Sequence, residues 1–412
     1  MKIRQALRSS SLKDFSSLFF SNILQKFFGL VREPVIAFFF GSSLLYANYL
    51  LLRTVADFFS QFTVGNALKA NLLPKFTKVF KKNKEMSYGK ILSFSKRTML
   101  LLFVLSQIVQ FVIIYNLNSE YTVLLIFVSV LLSVSICFSF LNTIYLTIMQ
   151  AEGKFFSYSV ATTLNAFLVA VFVYPLILFF NIFGLVISRL IGILSITYTY
   201  VIPMNKKKSG FEVPISRKDL NIPTLILGNF ANIIILSARL VSGSDGGVSI
   251  TYFTYSVFIL NALLTSVVGN VSTLLLRNLS IKKNNMFMLY SLLLSLFVGL
   301  FLVLGLELYG FDLIKIIFMR GEFKMEHVVN TTSFIQNLSY SFVLIFIATT
   351  LFQPFFSLSI DSSRKVRRNI SILFIITIVS GFIFSLSMNL PVKTESFIMI
   401  YSSSIMSVIL SA

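Results

Sequence analysis

A chain of 412 residues in which 56% are hydrophobic and only 12% charged cannot cover its own surface with polar groups. Soluble domains carry about 25% charged residues, and with a mean hydropathy of +0.86 the solvent of this chain is lipid. Lys and Arg number 35 against 15 Asp and Glu, a formal +20; such an excess would suggest nucleic acid in a soluble protein, but in a membrane protein the positive-inside rule explains it first. The apolar runs are continuous, not alternating, which excludes a transmembrane barrel. Helices of about 20 residues with short loops fit about 12 to 14 times into this length, leaving no room for a separate soluble catalytic domain.

In chain order, residues 1–14 form a short basic N-terminus. No small-residue cleavage site follows the first apolar run, so the first helix is expected to be an anchor, not a removable signal. Twelve spans are expected near residues 15–40, 46–73, 98–118, 122–148, 157–180, 183–203, 222–243, 248–276, 284–309, 328–358, 369–389 and 395–412. Residues 311–328 mix Ile314, Ile316, Ile317 and Phe318 with Asp312, Lys315 and Arg320, and are expected to form an interfacial helix on the outer face. The basic 74–97 segment is expected as a loop on the inner leaflet. The loops on one side hold 25 Lys and Arg, and those on the other side only Lys315, Arg320, Lys324 and Lys393. That asymmetry predicts cytoplasmic termini and an even number of spans, and leaves no call for nucleic acid as a partner.

An internal repeat is visible. The second span runs Tyr46-x-x-Tyr49 and then Val64-Gly65-Asn66; the eighth runs Tyr252-x-x-Tyr255 and then Val268-Gly269-Asn270. Both fall in the second helix of a six-helix set, which predicts two parallel six-helix lobes, a transporter architecture. Residues 1–203 would be the N-terminal lobe, 204–221 a cytoplasmic linker and 222–412 the C-terminal lobe.

Hydrolytic and metal chemistry find little support. The only histidine, His327, falls in an expected external loop and reads as solvated, and no glycine-rich phosphate loop is present. Cys137, the lone cysteine, sits in an apolar run and reads as a small buried hydrophobe. No enzyme activity, cofactor or metal is expected. Six cations interrupt the spans instead: Lys26, Arg32, Arg53, Lys69, Arg189 and Arg239, against two deep acids, Glu33 and Asp57. A lone cation at mid-membrane costs about 2.5–3.5 kcal/mol on insertion scales, so a surplus of this size calls for a water-filled cavity or a bound anion. Asp57 follows Arg53 by four residues and can pair with it on one helix face. Glu33 projects about 100° from Arg32 and is expected to serve another group. Lys69 and Arg239 lie near helix ends and can snorkel. Lys26, Arg32, Arg53 and Arg239 are the candidate anion-binding residues, with Glu33 and Asp57 as supporting charge. Gly29, Pro34 and Gly65 are candidate bend points in the first two helices.

The run Gly29-Leu30-Val31-Arg32-Glu33-Pro34-Val35-Ile36-Ala37, followed by Phe40-Gly41, resembles the G-x-x-R-[DE]-x-x-x-A-x-x-F-G signature of the MurJ/MviN family. Ser60-Gln61-Phe62 through Leu72-Leu73-Pro74 is similar to that family's second helix, and Phe318-Met319-Arg320-Gly321-Glu322-Phe323 to its F-x-x-G-x-F external element. The resemblance implies two lobes around a central cavity that opens alternately to either side. It implies a polyprenyl pyrophosphate carrying sugars, such as lipid II, as the substrate moved from inner to outer leaflet of a bacterial cytoplasmic membrane. Arg32 matches one phosphate-meeting arginine of the family, and Lys26 stands where another cation is usual. The family's charges in the second and eighth helices fall here at Ala47, Ser60 and near Ser256, and Arg53, two turns before Ser60, can substitute. Two other readings compete: a MATE-like ion-coupled exporter of small cations, and a non-transporting membrane partner of envelope-assembly enzymes.

Overall fold

A computed structural model describes residues 10–64, 66–80, 86–117, 119–205, 211–212, 222–262, 285–357, 360–388 and 390–411. Within them the chain is helical apart from one short strand pair. The helices are α1 (Ser10–Phe40), α2 (Leu44–Val64), α3 (Asn66–Phe80), α4 (Gly89–Leu117), α5 (Thr122–Ala151), α6 (Phe155–Phe180) and α7 (Ile182–Ile196, prolonged by a π turn, Thr197–Val201). Then come α8 (Ile222–Gly228), α9 (Phe230–Val241), α10 (249–262), α11 (Asn285–Phe318), α12 (Met325–Ser357), α13 (Ile360–Ser387) and α14 (Val392–Ser411). Among the described residues, eight helices are long and apolar enough to cross a membrane. This is an all-helical, multi-pass membrane protein. The strands β1 (Met86–Ser87) and β2 (Phe211–Glu212) pair in parallel.

Three sequence expectations are corrected. The 311–328 stretch is not an interfacial helix: α11 runs unbroken to Phe318, and α12 begins at Met325. Ile314 and Phe318, one turn apart, are both fully buried and carry the helical pattern on past the expected end. Most of the 74–97 segment is helix, belonging to the ends of α3 and α4. The span expected at 222–243 is two helices, α8 and α9, divided at Asn229.

The chain divides into two compact units, residues 1–36 with 55–228 and residues 37–54 with 229–412. In the first, α6 and α7 turn sharply at Asn181 (φ 51°), and Gly184 and Gly192 let the two helices touch. A Cβ at Gly184 would stand 2.3 Å from the Leu176 carbonyl, and one at Gly192 2.3 Å from Asn165 Oδ1. Small residues at such crossings replace the hydrophobic drive that lipid removes. The Asn142 amide donates to the Ile193 carbonyl at 2.8 Å and its oxygen accepts from Thr197 at 2.8 Å; this intrusion into the helical ladder accounts for the π turn. Ser106 donates to Ser133 and Gln107 to Ser133 and the Ser129 carbonyl, so α4 and α5 are joined by polar bonds at the depth of the bilayer. Cys137 is buried as expected, its thiol 3.2 Å from the Met99 carbonyl.

Candidate functional site

In the first unit two of the arginines close on carboxylates. Arg32, in α1, closes on Glu33: its Nε stands 3.1 Å from Oε1 and its Nη2 2.5 Å. Glu33 is 3% exposed, and the Arg32 side chain is only 28% exposed. Glu33 therefore engages its neighbour Arg32, which the sequence reading did not expect. The 100° between neighbouring Cβ atoms does not fix where a guanidinium ends, because the long Arg stem can swing back around the helix. Asp57, in α2, accepts from Arg189 Nη2 of α7 at 2.8 Å. Residues 132 positions apart meet here, and no local spacing signals it. Lys26 lies seven residues before Glu33, so the two share a face of α1 about 10 Å apart; Lys26 is half-buried. Glu33 and Asp57 are thus each engaged with an arginine.

Arg53 and Arg239 belong to the second unit. Arg239 does not snorkel. It is 8% exposed, and its Nη2 donates to the Leu50 carbonyl of α2 at 3.4 Å. Leu50 precedes Arg53 by three residues, so the two cations sit within about one helical turn of each other. Gly29 and Pro34 both lie inside α1, which continues through them; Pro34 leaves the Leu30 carbonyl without its usual helical donor. Gly65 lies outside the described residues, as do Val268, Gly269 and Asn270, the second half of the repeat.

The histidine is not a solvated loop residue. His327 Nδ1 lies 2.9 Å from Ser42 Oγ and 3.3 Å from the Tyr252 hydroxyl, and its ring packs against Tyr252 and Phe323. Around it, two segments that carry the family resemblance meet. Gly41 (φ +51°) ends α1 in the left-handed region, and a Cβ there would strike the Glu322 carbonyl at 2.4 Å. Gly321 (φ +58°) approaches Phe38 in the same way, and Glu322 N donates to the Phe38 carbonyl at 3.0 Å. Phe318 and Phe323 pack on Tyr255, which stacks on Tyr46. The first tyrosine of one Tyr-x-x-Tyr segment therefore lies against the second tyrosine of the other. In these motifs the glycines serve backbone contact and the aromatics serve packing; Arg32 is the chemically distinct member.

No protein-family model matches the chain. It is 24% identical over 350 residues to a probable lipid II flippase MurJ of Aquifex aeolicus (strain VF5), a match covering 79% of this chain and 68% of that protein. A solved lipid II flippase MurJ in an inward closed conformation superposes with a TM-score of 0.77 at 19% identity, over 96% of this chain and 86% of that one. The chain has the fold shared by MurJ and the MATE transporters. The wider fold includes MATE transporters: an inward-facing multidrug resistance MATE transporter matches with a TM-score of 0.70 at 13% identity, covering 93% of this chain and 92% of that one. An outward-facing form matches at 0.53 and 14% identity, covering 99% and 95%.

Proposed function

We propose that this protein is a flippase for a lipid-linked anionic saccharide, a polyprenyl pyrophosphate precursor of the cell envelope such as lipid II, carried from the inner to the outer leaflet of the bacterial cytoplasmic membrane. The observation that supports the reading is the set of cations in α1, α2, α3, α7 and α9, Lys26, Arg32, Arg53, Lys69, Arg189 and Arg239, against Glu33 and Asp57, which are engaged with Arg32 and Arg189. An anionic head group offsets the excess. Lys26, Arg32, Arg53 and Arg239 are assigned to it, with Glu33 and Asp57 setting the geometry of their arginines. The partly exposed Arg32 keeps guanidinium edges free of its single Glu33 oxygen contact, and a planar fork suits phosphate.

Alternating access moves the head group, with residues 1–203 and 222–412 as the moving lobes, 204–221 as their cytoplasmic linker and both termini cytoplasmic. Gly29, Pro34 and Gly65 are the bend points. Support comes from the same fold having been solved in inward-facing and outward-facing forms of a MATE transporter. A membrane potential negative inside favours outward movement of an anion by about 2.3 kcal/mol per charge per 100 mV. The test is transfer of a fluorescent polyprenyl pyrophosphate disaccharide across proteoliposomes: protected fluorescence that becomes accessible only with protein supports the reading, and rates equal to empty vesicles refute it. The MATE likeness also favours a second reading, ion-coupled export of small cations. That reading needs carboxylates available to a cation, whereas Glu33 and Asp57 are each held by an arginine. Uptake of a cationic dye driven by a sodium or proton gradient would select it.

A further inference from the structure

A groove of about 440 Å³ runs between α1 and α6, within the first unit. Its walls are apolar, with Phe20, Leu24, Phe156, Val160 and Phe167 among them. Phe20 and Phe156 are 65% and 72% exposed. Phe20 and Leu24 continue into an exposed apolar stripe with Phe27 and Val31 along α1, so the groove opens from a surface that faces lipid. Its floor is polar. Ser21 of α1 is bonded to the Ser159 carbonyl and to the Thr162 and Thr163 hydroxyls, and Gln25 donates to Ser21 and Thr162. Phe28 meets Phe167 edge-on at 5.4 Å and closes the deep end. One group stands out. The hydroxyl of Ser159, a residue 4% exposed on the groove lining, has no hydrogen-bond partner among the described residues. A serine in a helix normally donates to the carbonyl one turn back, and leaving a buried hydroxyl unmade is unfavourable.

We propose that this groove holds one acyl chain of a bilayer phospholipid, with the Ser159 hydroxyl donating to its ester carbonyl. The dimensions select this occupant. From Phe156 to Phe167 the groove follows α6 for about 16 Å, roughly half of a ~30 Å hydrocarbon core and so the depth of one leaflet. Lys154, half-exposed at the start of α6, lies about 7.5 Å above Ser159 along the axis, on the head-group side of the ester. It is paired with Glu152 at 2.7 Å, so the mouth is electrically balanced and does not select anionic head groups. The lipid is a resident wedge between α1, which bears Lys26 and Arg32, and α6.

The chain contains no tryptophan, so one introduced indole is an unambiguous reporter. Leu164→Trp on the lining, and Leu24→Trp on the opposite wall should the first fail to fold, are titrated in detergent with phosphatidylcholine brominated in its acyl chains. Quenching is expected to saturate near one lipid per chain. Val160→Phe, which fills the groove, should raise half-saturation at least tenfold, and Ser159→Ala about fivefold, the loss of one hydrogen bond. Phe179→Trp, 81% exposed on the same helix beyond the groove, should show only gradual quenching without saturation. Gradual quenching at all positions, or saturation indifferent to Val160→Phe, would overturn the site. Displacement by polyprenyl phosphate at lower concentration than unbrominated phosphatidylcholine would overturn the occupant, and a tenfold preference for phosphatidylglycerol would overturn the balanced mouth. Saturation unchanged by Ser159→Ala would overturn the ester contact.

Discussion

The first unit holds two ion pairs at low exposure, and the second fastens its first turn with neutral groups. In the first, Arg32–Glu33 and Arg189–Asp57 are ion pairs whose side chains are between 4% and 28% exposed. In the second, the turn after α1 is held by Ser42, Tyr252 and His327, by a backbone bond from Glu322 to Phe38, and by stacked aromatics. Buried ion pairs are a poor source of stability, because desolvation consumes most of the attraction. Neutral hydrogen bonds and close packing give the same fixation at less expense. Charge retained at membrane depth where neutral groups would hold the fold better therefore points to a charged ligand, and its absence from the Ser42–His327 cluster points to architecture.

Breaking the first unit's pair should have the largest effect. Arg32→Ala should abolish transport, and Arg32→Lys should restore it only in part, since an ammonium cannot offer the planar fork. Because Glu33 is 3% exposed, removing its arginine should also lower stability by about 3 kcal/mol. The double variant Arg32→Ala/Glu33→Gln separates the two roles: thermal unfolding of the purified protein should return close to the parent while proteoliposome transport stays absent. Wild-type transport in that double variant would remove Arg32 from the mechanism.

Arg189–Asp57 sharpens the contrast, because it ties α2 to α7 and is assigned to support. Asp57→Asn should cost about 2 kcal/mol, and Asp57→Asn with Arg189→Gln less than the single change. Transport per folded molecule should fall only a few-fold. A loss equal to that of Arg32→Ala, at unchanged melting temperature, would move Asp57 into the binding set.

In the second unit the strain is in the backbone. Gly321→Ala must hold φ near +58° and place a methyl against the Phe38 carbonyl, which should destabilise by about 1–3 kcal/mol. Gly305→Ala, in α11 with open space around the new Cβ, should not destabilise at all. Comparing the two melting curves isolates the contact from any general effect of replacing glycine in a membrane protein.

Periodicity and charge counting were enough to find the membrane class and most spans, because lipid demands long apolar helices wherever the chain crosses. They failed where the deciding contact is distant in sequence. Nothing near His327 distinguishes it from a solvated residue; its partner Ser42 lies 285 residues away. Arg189 and Asp57 are separated by 132. The continuation of α11 to Phe318 was hidden by Asp312 and Lys315, charges that suit an interfacial helix as well as the end of a span. Arg239 reads as able to snorkel from its place near a helix end, whereas the Leu50 carbonyl supplies a partner that only the folded chain brings near. Arg32 itself was legible as a deep cation in a motif, but its pairing with Glu33 depended on a rotamer that a helical wheel does not contain.

The smallest effect divides the histidine's two contributions. His327→Phe preserves a ring against Tyr252 and Phe323 but removes the bond to Ser42, and should destabilise by about 1 kcal/mol. His327→Ala removes the ring as well and should cost about 1 kcal/mol more, the worth of an aromatic contact beyond its area. Ser42→Ala in the His327→Phe background should then be nearly silent, since the hydroxyl's imidazole partner is already gone, and its remaining neighbour, the Tyr252 hydroxyl at 3.3 Å, is weakly placed. If instead the two changes add in full, Ser42 and His327 act independently, and the turn after α1 is held by the glycine contacts and the stacked tyrosines without help from the imidazole. Transport should follow stability through this whole series, whereas the Arg32 series separates the two.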